Sequence, residues 1–162
     1  MNMALSACPE PVEGRAAQRL AVRQAPHERS GSNLRFAGYA ALFGTRDAGG
    51  DTIMPGAFTS SLGQQNEPLP LLWRHRPDRR IGTVERAGED GRGLKVIARI
   101  DRHDSRAAAL LRSGALTGLS FGYRVRDARI VPGGRVLHRI DLFEISLVPD
   151  PLQHRARVHL VI

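Results

Sequence analysis

A serine flanked by glycines is the first feature of this sequence that suits chemistry. Ser120 lies in TGLSFGYRV, with Gly118 and Gly122 two residues away on either side. In a β-strand, alternation places these three residues and Arg124 on one face. The opposite face is then apolar and belongs to the core, with Leu119, Phe121, Tyr123 and Val125. Because glycines in a strand allow another backbone to approach closely, we predict a trough above the hydroxyl. A nucleophilic serine and a surface serine beside bulge glycines both fit this pattern.

A histidine suited to activate a serine lies in LPLLWRHRPDRRIG. If this segment continues as a strand, His75 extends an apolar face that also carries Leu71 and Trp73. Four arginines surround it: Arg74, Arg76, Arg79 and Arg80. Nearby cations disfavour the imidazolium, so we expect a neutral histidine that can accept a proton, as a general base must. A half-buried structural histidine beside a solvated arginine-rich loop is the alternative.

A carboxylate in an apolar strand completes the set. In RIDLFEISLVPDP, alternation places Phe143, Ile145 and Leu147 on one face, and Glu144 on the other with Leu142, Ser146 and Val148. A carboxylate is costly to bury unless it is paired or hydrogen-bonded. Glu144 is therefore a candidate to orient a histidine, as the acid does in a serine–histidine triad. A salt bridge to one of the many arginines explains it equally well.

Other motifs point away from metal and nucleotide chemistry. The sequence contains one cysteine, no HExxH pair and no glycine-rich phosphate loop of the GxxxxGK[ST] or GxGxxG type. We therefore predict no metal site and no cofactor. No apolar run approaches the roughly 20 residues of a membrane-spanning helix, and the N-terminus lacks the pattern of a signal peptide. We expect a cytoplasmic protein with no membrane partner.

The charge is strongly positive. The 162 residues carry a formal net charge of +8, and all basic residues except Lys95 are arginine. A basic surface attracts nucleic acids or acidic proteins without distinguishing between them. Aromatic residues make up only 5% of the chain, which leaves little material for stacking bases. Specific nucleic-acid binding is therefore disfavoured.

The elements that must position these residues are mostly strands. Residues 1–33 predict an N-terminal tail, disordered or cleavable, because they offer few apolar anchors. Residues 34–162 predict about seven strands in a β-barrel with a few peripheral helices. One of these helices is capped by Asp104 or Ser105, runs through Arg112 and is stopped by Gly114. Strands are expected at residues 34–44, 69–75, 80–87, 94–100, 116–131 and 135–148, with a short edge strand at the C-terminus. A further short helix is expected in GAFTSSLGQ, with Pro55 near its first turn.

The order of several motifs resembles one family. The chain reads D-x-x-x-D-x-I-x-P-G-A-F, then L-W-x-H, I-G-x-V, LRSGALTGLSFGY and DLFEISLVPDP. This series resembles the tailed-phage prohead maturation proteases, whose fold is similar to that of the herpesvirus assemblins. The resemblance covers residues 34–156. It implies a serine endopeptidase domain with Ser120 as nucleophile, His75 as general base and Glu144 as the third, acidic member.

The resemblance also implies substrates and a place of action. The expected substrates are the major capsid protein, through its scaffold or N-terminal pro-segment, and the protease itself. The expected site of action is the assembling prohead in the bacterial host cytoplasm, and a homo-oligomer is compatible with the sequence. Gly118, Gly122 and Arg124 are the predicted substrate contacts, since a glycine trough suits an extended peptide added as a strand. Because the chain ends at Ile162, we expect any scaffold to be a separate protein or an extension of the capsid protein.

Two other functions remain open. A catalytically silent assembly or scaffold-associated protein would keep the fold and lose proteolysis, and a basic β-barrel could bind nucleic acid. The presence of Ser120, His75 and Glu144 argues against the first, and the scarcity of aromatic residues argues against the second.

Overall fold

The computed structural model describes residues 33–162, so the predicted tail lies outside the described residues. Eight strands and two helices lie within this range. The strands are β1 (Leu34–Leu42), β2 (Asp51–Ile53), β3 (Pro70–Trp73), β4 (Arg76–Glu89), β5 (Gly93–Ile100), β6 (Gly118–Val131), β7 (Gly134–Val148) and β8 (Val158–Val161). The helices are α1 (Thr59–Gly63) and α2 (Arg106–Arg112). None of the helices in the described range is long and apolar enough to span a membrane.

The strands form one sheet that curls into a half-barrel around the core. Their order is β2-β7-β3-β4-β5-β1-β8, and β6 pairs with the remaining edge of β7. Strands β2 and β3 run parallel to β7, whereas the other pairs are antiparallel. The largest fully buried side chains come from most of these strands and both helix regions: Phe36, Ile53, Phe58, Leu71, Leu94, Ile100, Leu111, Leu119, Leu137, Ile140, Ile145 and Leu147. The prediction of a mainly β fold is confirmed. Strand β2 was not among the predicted strands, because three residues are too few to show an alternating pattern.

The longest pairing in the molecule joins β6 to β7, across a turn at Pro132 and Gly133. The predicted alternation holds over residues 118–125 of β6 and over residues 144–148 of β7, but it fails at Phe143. Gly122 pairs with Glu144 and the next residue, Tyr123, pairs with Leu142, so Phe143 is an extra, bulged residue. Because the extra residue breaks the alternation, Leu142 lies on the core face together with Ile145, and Phe143 is 47% exposed.

A polar cluster fixes the β6–β7 ribbon to β2. Asp51 accepts two hydrogen bonds from the Arg135 guanidinium, at 2.7 and 2.6 Å, and one from the Tyr123 hydroxyl at 2.5 Å. The Arg135 hydrogen bonds lower the pKa of the Asp51 carboxyl. Asp47 accepts from the Asp51 backbone N–H. Asp51, the second aspartate of D-x-x-x-D, and Tyr123, the tyrosine of SFGY, therefore anchor the β6–β7 ribbon to β2.

The β3–β4 connection differs from the expected one. Residues 69–75 were predicted to form a single strand, but β3 ends at Trp73, which pairs with Arg76 across a two-residue turn of Arg74 and His75. Both turn residues have positive φ, 52° and 57°. Positive φ at both central residues is typical of a tight hairpin turn that follows the twist of its strands. The arginine-rich segment after His75 is therefore part of β4, not a loop before it.

Both helices carry local signals. Ser105 caps α2 by accepting from the Ala108 N–H, and Gly114 follows the helix with φ 71°, as predicted. Helix α1 begins later than predicted, because Gly56 (φ 89°) forms a turn before it. The Glu89 carboxylate accepts from the Gly56 and Phe58 N–H groups and so holds the PGAF segment.

The C-terminal segment pairs with β1 and with the start of β6. The predicted edge strand is β8, which pairs with β1. Just before it, the Ala156 carbonyl accepts from the Leu119 N–H, and the Arg157 carbonyl accepts from Tyr39 N–H. The buried Gln153 amide fixes the preceding loop by hydrogen bonds to both backbone groups of Leu42. Beyond Leu119, β6 pairs within the described residues only with β7, so its other edge is open beside Ser120.

Candidate active site

Ser120, His75 and Glu144 form one chain of hydrogen bonds on the outer face of the sheet. The His75 Nε2 lies 3.0 Å from the Ser120 Oγ, and its Nδ1 lies 2.6 Å from the Glu144 Oε1. Ser120 lies on β6, Glu144 lies on β7 and His75 lies in the β3–β4 turn. If Nδ1 carries the proton of a neutral imidazole, it donates to Glu144 and leaves Nε2 to accept from the Ser120 hydroxyl.

The two glycines beside Ser120 have a different role from the one the pattern suggested. A Cβ on Gly122 would lie 2.7 Å from the Glu144 Oε1, and one on Gly118 would lie 2.3 Å from the Val148 carbonyl oxygen. The space that the missing side chains leave is thus filled by the chain itself. Gly122 lets the Glu144 carboxylate lie across β6, and Gly118 makes room for Val148 and Pro151. The expected open trough over these positions is therefore wrong.

Ser146 connects the histidine turn to the carboxylate. Its Oγ accepts from the His75 backbone N–H at 3.0 Å and donates to the Glu144 Oε2 at 2.6 Å, and the residue is fully buried. The Arg74 N–H donates to the Leu147 carbonyl on the same strand. Sequence reasoning placed Ser146 on the face of Glu144 without assigning it a role. Its position two residues from a candidate acid was the available signal.

The electrostatics of His75 also differ from the expectation. The pKa of His75 is raised, mainly by its hydrogen bond to Glu144, while partial burial acts in the opposite direction. The expectation that neighbouring arginines would disfavour the imidazolium is wrong, because the Glu144 carboxylate in direct contact with the ring favours the charged form. The His75 side chain is 45% exposed, whereas that of Glu144 is only 11% exposed. A shielded acid thus lies behind a solvent-accessible base.

Arg124, the remaining predicted substrate contact, is exposed two residues beyond Gly122. Its guanidinium lies 5.5 Å from the ring centroid of Phe143, the bulged residue of β7. A cation over an exposed aromatic ring forms a small mixed surface next to the site. Among residues 33–162, no cluster of histidine, cysteine or acidic residues has the geometry to hold a metal ion.

A serine, a histidine and a carboxylate in this arrangement match the residue types and the hydrogen-bond order of a serine-hydrolase triad. The sequence comparison is more specific. A model of the family described as caudovirus prohead serine protease matches residues 19–162. The chain belongs to that family.

The chain is also similar to two curated relatives and to one solved structure. It is 33% identical over 130 residues to the prohead protease of Enterobacteria phage HK97, covering 76% of this chain and 58% of that protein. It is 30% identical over 103 residues to the capsid polyprotein of Pseudomonas phage PAJU2, covering 56% of this chain and 15% of that protein. The chain thus spans little more than half of one relative and a small part of the other.

The fold is similar to that of the KSHV protease, solved in complex with a hexapeptide phosphonate inhibitor. The TM-score is 0.52 at 18% identity, and the match covers 80% of this chain and 65% of that one. The likeness confirms the predicted assemblin-like fold. The predicted family is confirmed by the sequence match.

Proposed function

We propose that this chain is a serine endopeptidase that cleaves the scaffold or N-terminal pro-segment of the major capsid protein during prohead maturation, and that it also cleaves itself. The observation that carries the proposal is the position of His75 between two partners. One imidazole nitrogen lies 3.0 Å from a partly exposed serine hydroxyl and the other lies 2.6 Å from a buried carboxylate.

The chemistry is acyl transfer. Nε2 of neutral His75 takes the Ser120 proton as Oγ attacks the peptide carbonyl carbon, and Glu144 stabilises the imidazolium that forms. His75 then donates that proton to the departing amine, which leaves an acyl group on Ser120. Water, deprotonated by His75, hydrolyses the ester and restores the serine.

The open edge of β6 is the proposed binding place of the substrate. An extended peptide that pairs with this edge brings a backbone carbonyl close to Ser120. Arg124 lies further along the same strand and is available to a substrate side chain. Gly118 and Gly122, whose Cβ positions face the chain itself, contact a peptide only through their backbone.

The family and one relative support the choice of substrate. The family of this chain is described as caudovirus prohead serine protease, and one relative is named a capsid polyprotein. We therefore place the reaction inside the assembling prohead of a bacterial host. Confinement there raises the effective concentration of enzyme and substrate, which favours a weak encounter.

Co-expression with the neighbouring capsid protein tests the proposal. Wild-type enzyme should produce a shortened capsid protein in the intact mass spectrum, and Ser120→Ala should leave the full mass. Ser113→Ala is a matched control, because that exposed serine caps the end of α2 and its hydroxyl bonds the Leu110 carbonyl and the Ala115 N–H. Equal cleavage by wild type and Ser120→Ala would reject the mechanism. An uncleaved capsid protein with the wild type would instead favour a silent assembly protein.

A further inference from the structure

An arginine-lined cleft lies next to His75 and takes no part in the proposed chemistry. It lies between the β3–β4 turn and α2, has a volume of about 410 Å³, and is lined by Arg74, Arg76, Arg79 and Arg106, with Trp73 and Leu116 among its apolar contacts. A second cavity of about 340 Å³ is also lined by Trp73, Arg79 and Arg106, so the two cavities adjoin. We refer to both together as the arginine cleft.

The charge of the arginine cleft is poorly neutralised by the chain. Arg76 pairs with the exposed Asp78, and the Arg74 guanidinium lies over the Trp73 ring. In the described part of the chain, no carboxylate lies within 4.0 Å of Arg79 or Arg106. Like charges gathered in a concave surface focus a positive potential that attracts an anionic partner.

The position of the cleft relates it to the scissile bond. Arg74 and Arg76 directly flank His75 in the turn, and Leu116 precedes Ser120 by four residues. The open edge of β6 extends from Ser120 in the other direction. The edge of β6 before Ser120 is paired with residues 156–158, so the cleft is linked to the triad by the turn that carries His75 between Arg74 and Arg76.

We propose that the arginine cleft binds an acidic stretch of the substrate polypeptide, beside the turn that carries His75. This inference rests on the proposed function. Guanidinium groups bind carboxylates through paired N–H donors, which favours aspartate and glutamate side chains. The apolar contacts from Trp73 and Leu116 suit the aliphatic parts of a peptide, and a single aromatic ring offers little for stacking successive bases.

Binding is measured first, without cleavage, on the Ser120→Ala protein. The probes are two fluorescent peptides of equal length, one alternating glutamate with serine and the other glutamine with serine. Adding Arg79→Gln and Arg106→Gln should weaken binding of the glutamate peptide by about threefold to tenfold, the range for two exposed ion pairs. The difference should shrink as salt is added.

The matched control is the pair Arg86→Gln and Arg129→Gln, which removes the same charge from exposed strand positions outside the cleft. This control should bind the glutamate peptide as tightly as the parent. Equal weakening by both pairs, or equal affinity of the parent for the two peptides, would overturn the proposal. Displacement of the glutamate peptide by single-stranded DNA, with the same dependence on Arg79 and Arg106, would assign the cleft to nucleic acid and also overturn it.

Cleavage then separates this inference from the proposed function. With Ser120 intact, the ratio of kcat/KM for a capsid substrate with acidic flanking residues to that for its amide counterpart should fall in the Arg79→Gln, Arg106→Gln protein, through KM. A protein that binds the acidic peptide selectively but cleaves nothing would keep the cleft and reject the protease. Cleavage with no such preference would reject the cleft alone.

Discussion

The β6–β7 ribbon and the β3–β4 turn contribute to the same site in opposite ways. The ribbon supplies Ser120 and Glu144 from a long antiparallel pairing whose inner face is part of the core. The turn supplies His75 from two consecutive residues in the left-handed region, exposed to solvent. Left-handed backbone costs a non-glycine residue roughly 1–2 kcal/mol. The ribbon therefore stabilises the fold, whereas the turn is held in place by it.

Ser146 makes this dependence explicit. It joins the His75 N–H to the Glu144 carboxylate, so the position of the base is set by the strand that carries the acid. The difference between the two regions is that the nucleophile and the acid are fixed by pairing and packing, while the base depends on a few polar contacts. Each prediction below tests one side of that division.

The largest loss is expected when either reacting side chain is removed. Ser120→Ala and His75→Ala should each lower cleavage of the capsid protein by about 10⁴-fold to 10⁶-fold, because nucleophile and base act as one unit. The double variant should be little worse than either alone. Peptide mass spectrometry over a time course measures the rates, and circular dichroism checks folding. Additive losses in the double variant would show that the two residues do not share a step.

A smaller loss is expected for the acid. Glu144→Gln should reduce kcat by roughly 10⁴-fold, which is less than the loss for Ser120→Ala, since an orienting acid contributes less than the nucleophile. Glu144 raises the pKa of His75, and the base must be unprotonated, so activity falls as the pH drops through that raised pKa. In the variant the acidic limb of the kcat/KM profile should move to lower pH. A larger loss in folded His138→Ala or His103→Ala would transfer the third role to that histidine.

The next largest effect is expected at Ser146, which links the ribbon to the turn. Ser146→Ala removes the hydroxyl that donates to the Glu144 carboxylate and accepts from the His75 backbone N–H. Leaving a buried polar group without its partner costs about 1–3 kcal/mol of folding stability. We expect reduced kcat together with a lower melting temperature, and partial rescue by Ser146→Thr. Full activity in Ser146→Ala would show that the turn is positioned without this hydrogen bond.

A change confined to the turn should affect stability modestly. Arg74→Val places a β-branched residue at φ 52° and should reduce the free energy of unfolding by about 1–2 kcal/mol. Arg129→Val, at an exposed position of β6, is the control and should stay within about 0.5 kcal/mol of wild type. Urea denaturation measures both. Similar values for the two variants would mean that the turn relaxes at little cost.

The smallest effect is expected from the N-terminus. The described core is built from residues at or after Leu34, so a chain that starts at Asn33 should keep its cooperative thermal transition. Differential scanning calorimetry compares it with the full chain. Loss of cooperativity would show that the preceding residues pack on the sheet.

The sequence predicted the ribbon better than the turn, for physical reasons. Alternation over many residues identified β6, β7 and the faces of Ser120 and Leu119. It failed at Phe143, because a bulge leaves no reliable mark in an alternating pattern. It also failed at His75, where an apolar strand appeared to continue although the chain reverses after Trp73. Left-handed turns usually show glycine or asparagine, and Arg74-His75 contains neither.

The candidate triad was accessible from residue types and motif order, but its geometry was not. Sequence alone did not give the closeness of the Glu144 carboxylate to Gly122, since that depends on which residues face each other across β6 and β7. The balance between the arginines and Glu144 around His75 likewise depends on distances. The residue types give the charges, but only the fold determines which charged groups are in contact.

The parallel pairing of β3 with β7 has a consequence for when activity begins. The β6–β7 hairpin is local in sequence, whereas His75 meets Ser146 and Glu144 across 71 and 69 residues. Contacts between distant parts of a chain form late and slowly in folding, because closing a long loop costs entropy before any contact compensates. A nascent chain on the ribosome therefore holds its histidine long before it has an acid to orient it. Synthesis of β7 sets the earliest moment at which the proposed triad can form.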